Sequence, residues 1–294
     1  MTPKDIDSDV SGEEFADRIA SLACKALLYE VAISPKPGLV DRFNNGAHTD
    51  MDMFTFIGSA AALTPYFRDM AREGLEFPGP IGTILPRLRP RGVRAEKEMF
   101  RETGGVNTHK GLVFSMGVFC VAAGHLRGRA LPFTEENFLG VCAAVTAETP
   151  GELAGPPQTY AATHGQRVHA RFGMTGIRGE AAAGYPNIRR HGLPVLRRAL
   201  AEGNSFNDAG VATLLHLVAH VEDTNIVSRS DAETLKRVQA ETRAFLESGP
   251  GMTAMLRFAA RLDERFIQEH ISPGGSADLL ALTCFLHFIL NPES

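Results

Sequence analysis

Between Leu112 and Ala123 the chain reads LVFSMGVFCVAA, and between Leu279 and Leu290 it reads LLALTCFLHFIL. A helix built from either run is apolar on every side, so other elements must enclose it. Both runs fall short of the ~20 residues that cross a membrane, which favours the buried centre of a globular domain. From Met53 to Met70 the chain is again apolar almost all round. That stretch predicts a third buried helix, kinked at Pro65.

Around these runs the period of 3.6 dominates. Ser11 and Glu14 form a capping-box pattern, followed by Phe15, Ile19, Leu22, Ala26 and Tyr29 at helical spacing. Pro35 and Pro37 stop that helix. Thr134, Ser205, Asp231 and Ser276 are placed to cap four further helices. No alternating Val/Ile/Thr run sits between hairpin signals. The expectation is an all-α fold, one domain over residues 1–294, with about ten helices around the buried ones. The Pro-, Gly- and Arg-rich stretches at 74–92 and 149–159 read as long surface connections.

Composition narrows the class of function. With 30 Lys+Arg against 34 Asp+Glu, the net charge of -4 argues against binding nucleic acid through bulk charge. Four cysteines lie far apart in apolar stretches with no C-x-x-C pair, which disfavours a thiolate zinc site. The first fifteen residues are polar and acidic, so the expected location is the cytoplasm.

Reactive residue types gather at helix boundaries, in five clusters. The first runs from Pro35 through Lys36, Gly38, Arg42 and His48 to Asp50 and Asp52. One of its two aspartates is expected to cap the next helix; both together exceed that need. The second, Gly104-Gly105-Val106-Asn107-Thr108-His109-Lys110-Gly111, opens an apolar helix where backbone N–H groups and a lysine suit an anion. The third holds His164, His169, Arg171, Arg178 and Glu180 among three glycines. The fourth places His216, His220 and Asp223 on one helical face. Asp223, followed by Asn225 and Arg229, suits oxygen ligation of Mg²⁺ better than the histidine pair suits a transition metal. The fifth, Pro273 to Leu280, is explained by Ser276 as a cap with Asp278 in the first turn.

In the strings PKPGLVDRFNNGAHTDMD, GGVNTHKG, GIRGEAAAGYP, EDTN and SPGGSADLLA the chain resembles the triphosphoribosyl-dephospho-CoA synthase family. One departure stands at Arg229-Ser230-Asp231, where the family pattern has Arg-Gly-Gly. The resemblance implies that ATP and 3′-dephospho-CoA are the substrates. The triphosphoribosyl group would pass to the 2′-hydroxyl of dephospho-CoA with loss of adenine. The product would feed a holo-acyl-carrier-protein synthase serving citrate lyase or malonate decarboxylase. Such a glycosyl transfer passes through a cationic sugar and needs phosphate neutralisation, a base and help for the leaving group. Under the resemblance, Lys36, Arg42, Asn107, Lys110, Arg171, Arg178 and Arg229 are the substrate and phosphate contacts. Asp50 and Asp223 are the Mg²⁺ ligands. Asp52 and Glu180 stabilise the cationic sugar, and either His48 or His109 is the base. No nucleic acid and no membrane is expected as a partner. The rival enzyme class is an all-α metal-dependent nucleotide phosphohydrolase, against which the absence of an adjacent His-Asp doublet weighs.

Overall fold

The computed structural model describes residues 10–154 and 169–291. Helix α1 (Gly12–Ala32) begins in the capping box: the Ser11 amide donates to Glu14 Oε2 (2.9 Å) and the Glu14 amide to Ser11 Oγ (3.3 Å). Its buried stripe of Phe15, Ile19, Ala23 and Ala26 packs on α2 (Met53–Glu76) and on the last helix. Helix α2 runs through Pro65 and buries one face; Phe54, on another, is 81 % exposed. The central position expected of α2 belongs instead to α4 (Lys110–Gly128) and α13 (Gly274–Leu290), which are buried nearly throughout.

Glycines set the crossing of α2 and α4. A Cβ on Gly74 would lie 2.1 Å from the Val121 carbonyl oxygen, and one on Gly124 would lie 2.0 Å from that of Ala71. The two helices therefore touch backbone to backbone, and any side chain at either position would force them apart. The apolar run at 112–123 belongs to a helix of 19 residues, long and apolar enough to cross a membrane by length and composition. In the fold that helix packs against α2, α13 and α5 (Glu135–Thr146), the last capped by Thr134 as expected. Phe119 of α4 meets the rings of Phe138, Tyr185 and Phe285 at 5.2, 4.9 and 6.0 Å, edge to face. Such contacts add about 0.5–1.5 kcal/mol each beyond their area.

The stretch read as a surface connection at 74–92 is mostly helix. Only 77–84 links α2 to α3 (Leu85–Glu102), with a short 3₁₀ turn at Ile81–Thr83. Pro86 lies in the first turn of α3, where a missing N–H is harmless, and Pro90 falls one turn on. Leu88, Ala95 and Met99 form its buried stripe. The other such stretch holds the short α6 (Gly151–Ala154); the rest of it lies outside the described residues.

The chain continues through α7 (Gly176–Ala182), a π turn at Ile188–Gly192 and α8 (Leu193–Ala201). Helices α9 (Phe206–Val218) and α11 (Ala232–Glu247) are capped by Ser205 and Asp231 as predicted; α10 (Thr224–Arg229) lies between them and α12 (Met252–Glu269) follows. Thirteen α-helices and no strand occur among the described residues, beside a turn of helix at 169–172. The excess over the expected ten comes from α6, α7 and α10, of four to seven residues, too short to show a period. Ser276 does not cap the last helix. That helix starts three residues earlier, after Pro273, and Ser276 bonds Asp223 instead.

Candidate active site

The last turn of α1 and the first turns of α4, α10 and α13 open onto one cleft of about 1110 Å³, walled on one side by α3 and α7. Each of the five sequence clusters sends residues into it. Lys36, His48 and Asp50 come from the first; Asn107, His109 and Lys110 from the second; Arg178 and Glu180 from the third. Arg229 comes from the fourth and Asp278 from the fifth. The N-termini of α4 and α13 add the positive ends of two long helix dipoles. A space this large exceeds the upper end of the ~300–1,000 Å³ typical for one small ligand, and suits two nucleotide-sized substrates.

The loop from 33 to 52 keeps its shape through carboxylates. Asp41 accepts from the amides of Lys36, Phe43 and Asn44, and Asp263 of α12 accepts from the Gly38 amide and Asn44 Nδ2. Gly38 sits at φ +67, where a Cβ would strike the Ile271 carbonyl oxygen at 2.1 Å. This frame aims His48 so that Nε2 meets Ser272 Oγ at 2.9 Å, with Asp50 3.9 Å from Nδ1. Burial first, and then Arg229, lower the His48 pKa, with Asp50 opposing. Arg229 itself donates to the Ala47 carbonyl (2.8 Å), so α10 clamps the loop.

Buried groups form the cleft floor. Lys36, 1 % exposed, is ion-paired with Glu30. Burial raises the Glu30 carboxyl and the ammonium group pulls it back. His109, 3 % exposed, has Nδ1 at 2.7 Å from Ser59 Oγ, which also accepts from Thr108 Oγ1. His109 Nε2 is buried and has no hydrogen-bond partner among the described residues. Burial, aided by Lys36, pushes the His109 pKa down to about 3. Asp278, half-buried and open to the cleft, completes the floor.

The rim carries half-exposed charges in pairs. Lys110 lies 3.2 Å from Glu96, and Arg178 lies 3.4 Å from Glu152, which also pairs with Arg89. Asn107 Oδ1 accepts from the Lys110 amide at 3.2 Å. Glu180 accepts from the amide and the Nδ2 of Asn187, both at 2.8 Å. Burial raises its carboxyl, and those two bonds oppose the rise.

Four predicted site residues lie elsewhere. Arg42 is held by Ser34 and Asn207 and does not line the cleft. Asp52 caps α2 through Thr55, the structural role expected of one aspartate in that pair. Arg171 is exposed, over the ring of Phe172 at 4.9 Å. Asp223 is buried behind the cleft lining, and its two oxygens accept from the amides of Asn225, Ile226, Gly275 and Ser276 and from Ser276 Oγ. Those donors pin α10 to α13. His220 bonds the His216 carbonyl through Nδ1 and stacks on His191 at 3.7 Å, and no group of three metal-ligand side chains forms around the pair among the described residues. His164 lies outside the described residues.

Sequence reasoning missed Glu30, Glu96 and Glu152, and gave Asp278 only a structural role. Two carried a signal. Glu30 continues the apolar stripe of α1 at Phe15, Ile19, Ala23 and Ala26, and Asp278 is an acid in a helix apolar all round. A carboxyl group is tolerated at such positions where a cation pairs it, as Lys36 does Glu30, or where it faces a cleft, as Asp278 does.

Residues 16–294 match the family model described as ATP:dephospho-CoA triphosphoribosyl transferase. A probable 2-(5″-triphosphoribosyl)-3′-dephosphocoenzyme-A synthase of Pectobacterium carotovorum is 42% identical over 89% of this chain and 86% of its own. That of Albidiferax ferrireducens is 41% identical over 96% and 93%. The synthase of Pectobacterium atrosepticum is 41% identical over 89% and 86%. No solved structure matches the chain.

Proposed function

The chain belongs to the ATP:dephospho-CoA triphosphoribosyl transferase family, and we propose that its cleft joins the ribose of ATP to the 2′-hydroxyl of 3′-dephospho-CoA with release of adenine. It is a transferase of the triphosphoribosyl-dephospho-CoA synthase type. The observation that carries the proposal is the convergence of five separate sequence clusters on one cleft, in a chain matched over nearly its whole length.

On this reading the rim holds the triphosphate. Lys110, Arg178 and Arg229, with the amides opening α4, replace their present partners with phosphate oxygens. Among the described residues no three His, Cys, Asp or Glu side chains meet as a metal cage. Mg²⁺ is ordinarily held by one or two carboxylates plus substrate phosphates. The residues therefore fit an ion that enters with ATP, with exposed Asp50 as its protein carboxylate. When bound, it would neutralise phosphate charge.

His48 is the base of the two histidines. Its lowered pKa leaves it neutral near pH 7, able to take the 2′-hydroxyl proton. His109, at about 3, is too weak a base and too enclosed. Glu180, held by Asn187, supplies negative charge beside the cationic sugar. The four free cysteines suit the reducing cytoplasm. The product would serve the acyl carrier of citrate lyase or malonate decarboxylase.

Incubation with Mg-ATP, with and without dephospho-CoA, tests the proposal by mass spectrometry. Free adenine and a triphosphoribosylated adduct are expected in equal amounts, and only when both substrates are present. ADP, AMP or phosphate in place of adenine would point to the phosphohydrolase.

A further inference from the structure

Three carboxyl groups lie at or just behind the floor of the cleft, with one ammonium group among them. Lys36 is engaged by Glu30, and Asp223 accepts five hydrogen bonds. Asp278 has neither kind of support. No hydrogen bond and no cation reaches its carboxyl among the described residues, although it lines the cleft. Its position is set by the first turn of α4, where a Cβ on Gly111 would stand 2.6 Å from Oδ2.

The other cleft acids differ. Glu96 and Glu152 are paired with cations on the rim, Glu180 accepts two hydrogen bonds from Asn187, and Asp50 and Glu222 face water. An acid half-buried at the cleft floor, with carboxylates and no cation as neighbours, is the one most penalised by ionising. Burial first, then the charges of Glu30 and Asp223, hold Asp278 well above the usual carboxylate range. The positive end of α4 is a weaker counterweight.

We infer that Asp278 is the acid that protonates adenine as it leaves C1′. This assignment rests on the glycosyl-transfer reading above. The Asp278 proton passes to a ring nitrogen of adenine while the C1′–N9 bond breaks with its electron pair on the purine. The 2′-oxygen of dephospho-CoA bonds to C1′, and its proton passes to His48. Solvent then reprotonates Asp278 and relieves His48, so each turnover moves one proton from hydroxyl to adenine.

The full chain and its Asp278→Asn variant are to be compared on ATP and on 7-methyl-ATP, whose base already bears the positive charge and departs without protonation. The variant is expected to lose ~10²–10⁴-fold in kcat on ATP. It should keep KM for both substrates within about threefold and turn over 7-methyl-ATP at the wild-type rate. Equal losses on the two triphosphates, or no loss on ATP, overturn the assignment. Should the variant not fold, the wild-type pH profile decides. On ATP, kcat should fall as pH rises through the titration of the acid, while on 7-methyl-ATP it should not; parallel profiles overturn the assignment. A wild-type chain that releases no adenine overturns the parent reading as well, a failure visible without any variant.

Discussion

The rim and the floor of the cleft hold the same residue types under opposite physical conditions. On the rim, the Lys110 side chain is 51 % exposed and its pair with Glu96 is solvated, a contact worth ~0–1 kcal/mol that a phosphate can replace. On the floor, the Lys36 ammonium is sealed against Glu30, and separating the two would leave a charge buried without a partner. Identical side chains thus do different work: the exposed lysine is available to a ligand, and the enclosed one holds the architecture that the ligand meets.

The same substitution at both lysines is the strongest way to break that contrast. Lys36→Met is expected to cost about 3–5 kcal/mol of stability, because Glu30 is left buried and uncompensated; denaturant unfolding measures it. A variant as stable as the wild type, with only KM for ATP raised, would return Lys36 to the phosphate-binding set. Lys110→Met should change stability by less than ~0.5 kcal/mol. Its KM for ATP should rise about 10–100-fold, since a charge-assisted contact is worth ~1.5–3 kcal/mol. Steady-state kinetics beside a melting curve would separate the two effects.

Acid titration sharpens the contrast further. His109 is neutral in the fold down to about pH 3, whereas the unfolded imidazole takes a proton near 6.5. Its contribution to stability is therefore complete above the unfolded value and is lost as pH falls from there toward the folded one. Between pH 7 and pH 5 the wild type should lose about 2 kcal/mol more than His109→Asn. Equal losses, measured by unfolding at the two pH values, would show that the imidazole is not sealed on the floor. The smallest effect belongs to the cations outside the cleft. Arg42→Ala and Arg171→Ala should each leave KM for ATP within about twofold, and a rise like that of Lys110→Met would extend the rim to them.

Much of the fold was legible in linear pattern. The capping residues Ser11, Thr134, Ser205 and Asp231 all hold the amides expected of them, because a cap is a contact across three residues. The two runs apolar on every side became the two central helices. At 74–92 the prolines suggested a loop, yet Pro86 lies where a helix tolerates it and the buried stripe of α3 outweighs the loss at Pro90. The site was legible as a set of places and less so as a set of roles. All five clusters reach the cleft or its supporting wall, but Asp52 became a cap and Asp223 a pin between helices.

Local sequence settled whatever depends on neighbours within a turn or two: helix starts, buried stripes, and the gathering of reactive residues at helix ends. The tertiary structure alone decided which charges face water and which are enclosed. Lys36 and Lys110 look alike in sequence, as do Asp50 and Asp223. The difference between them is solvation, and solvation is set by chain segments far away. Glu30 and the start of α13 enclose the floor, while the rim stays open to solvent. A charge's cost of burial, its partners and its proton affinity all follow from that enclosure. No window along the chain contains it.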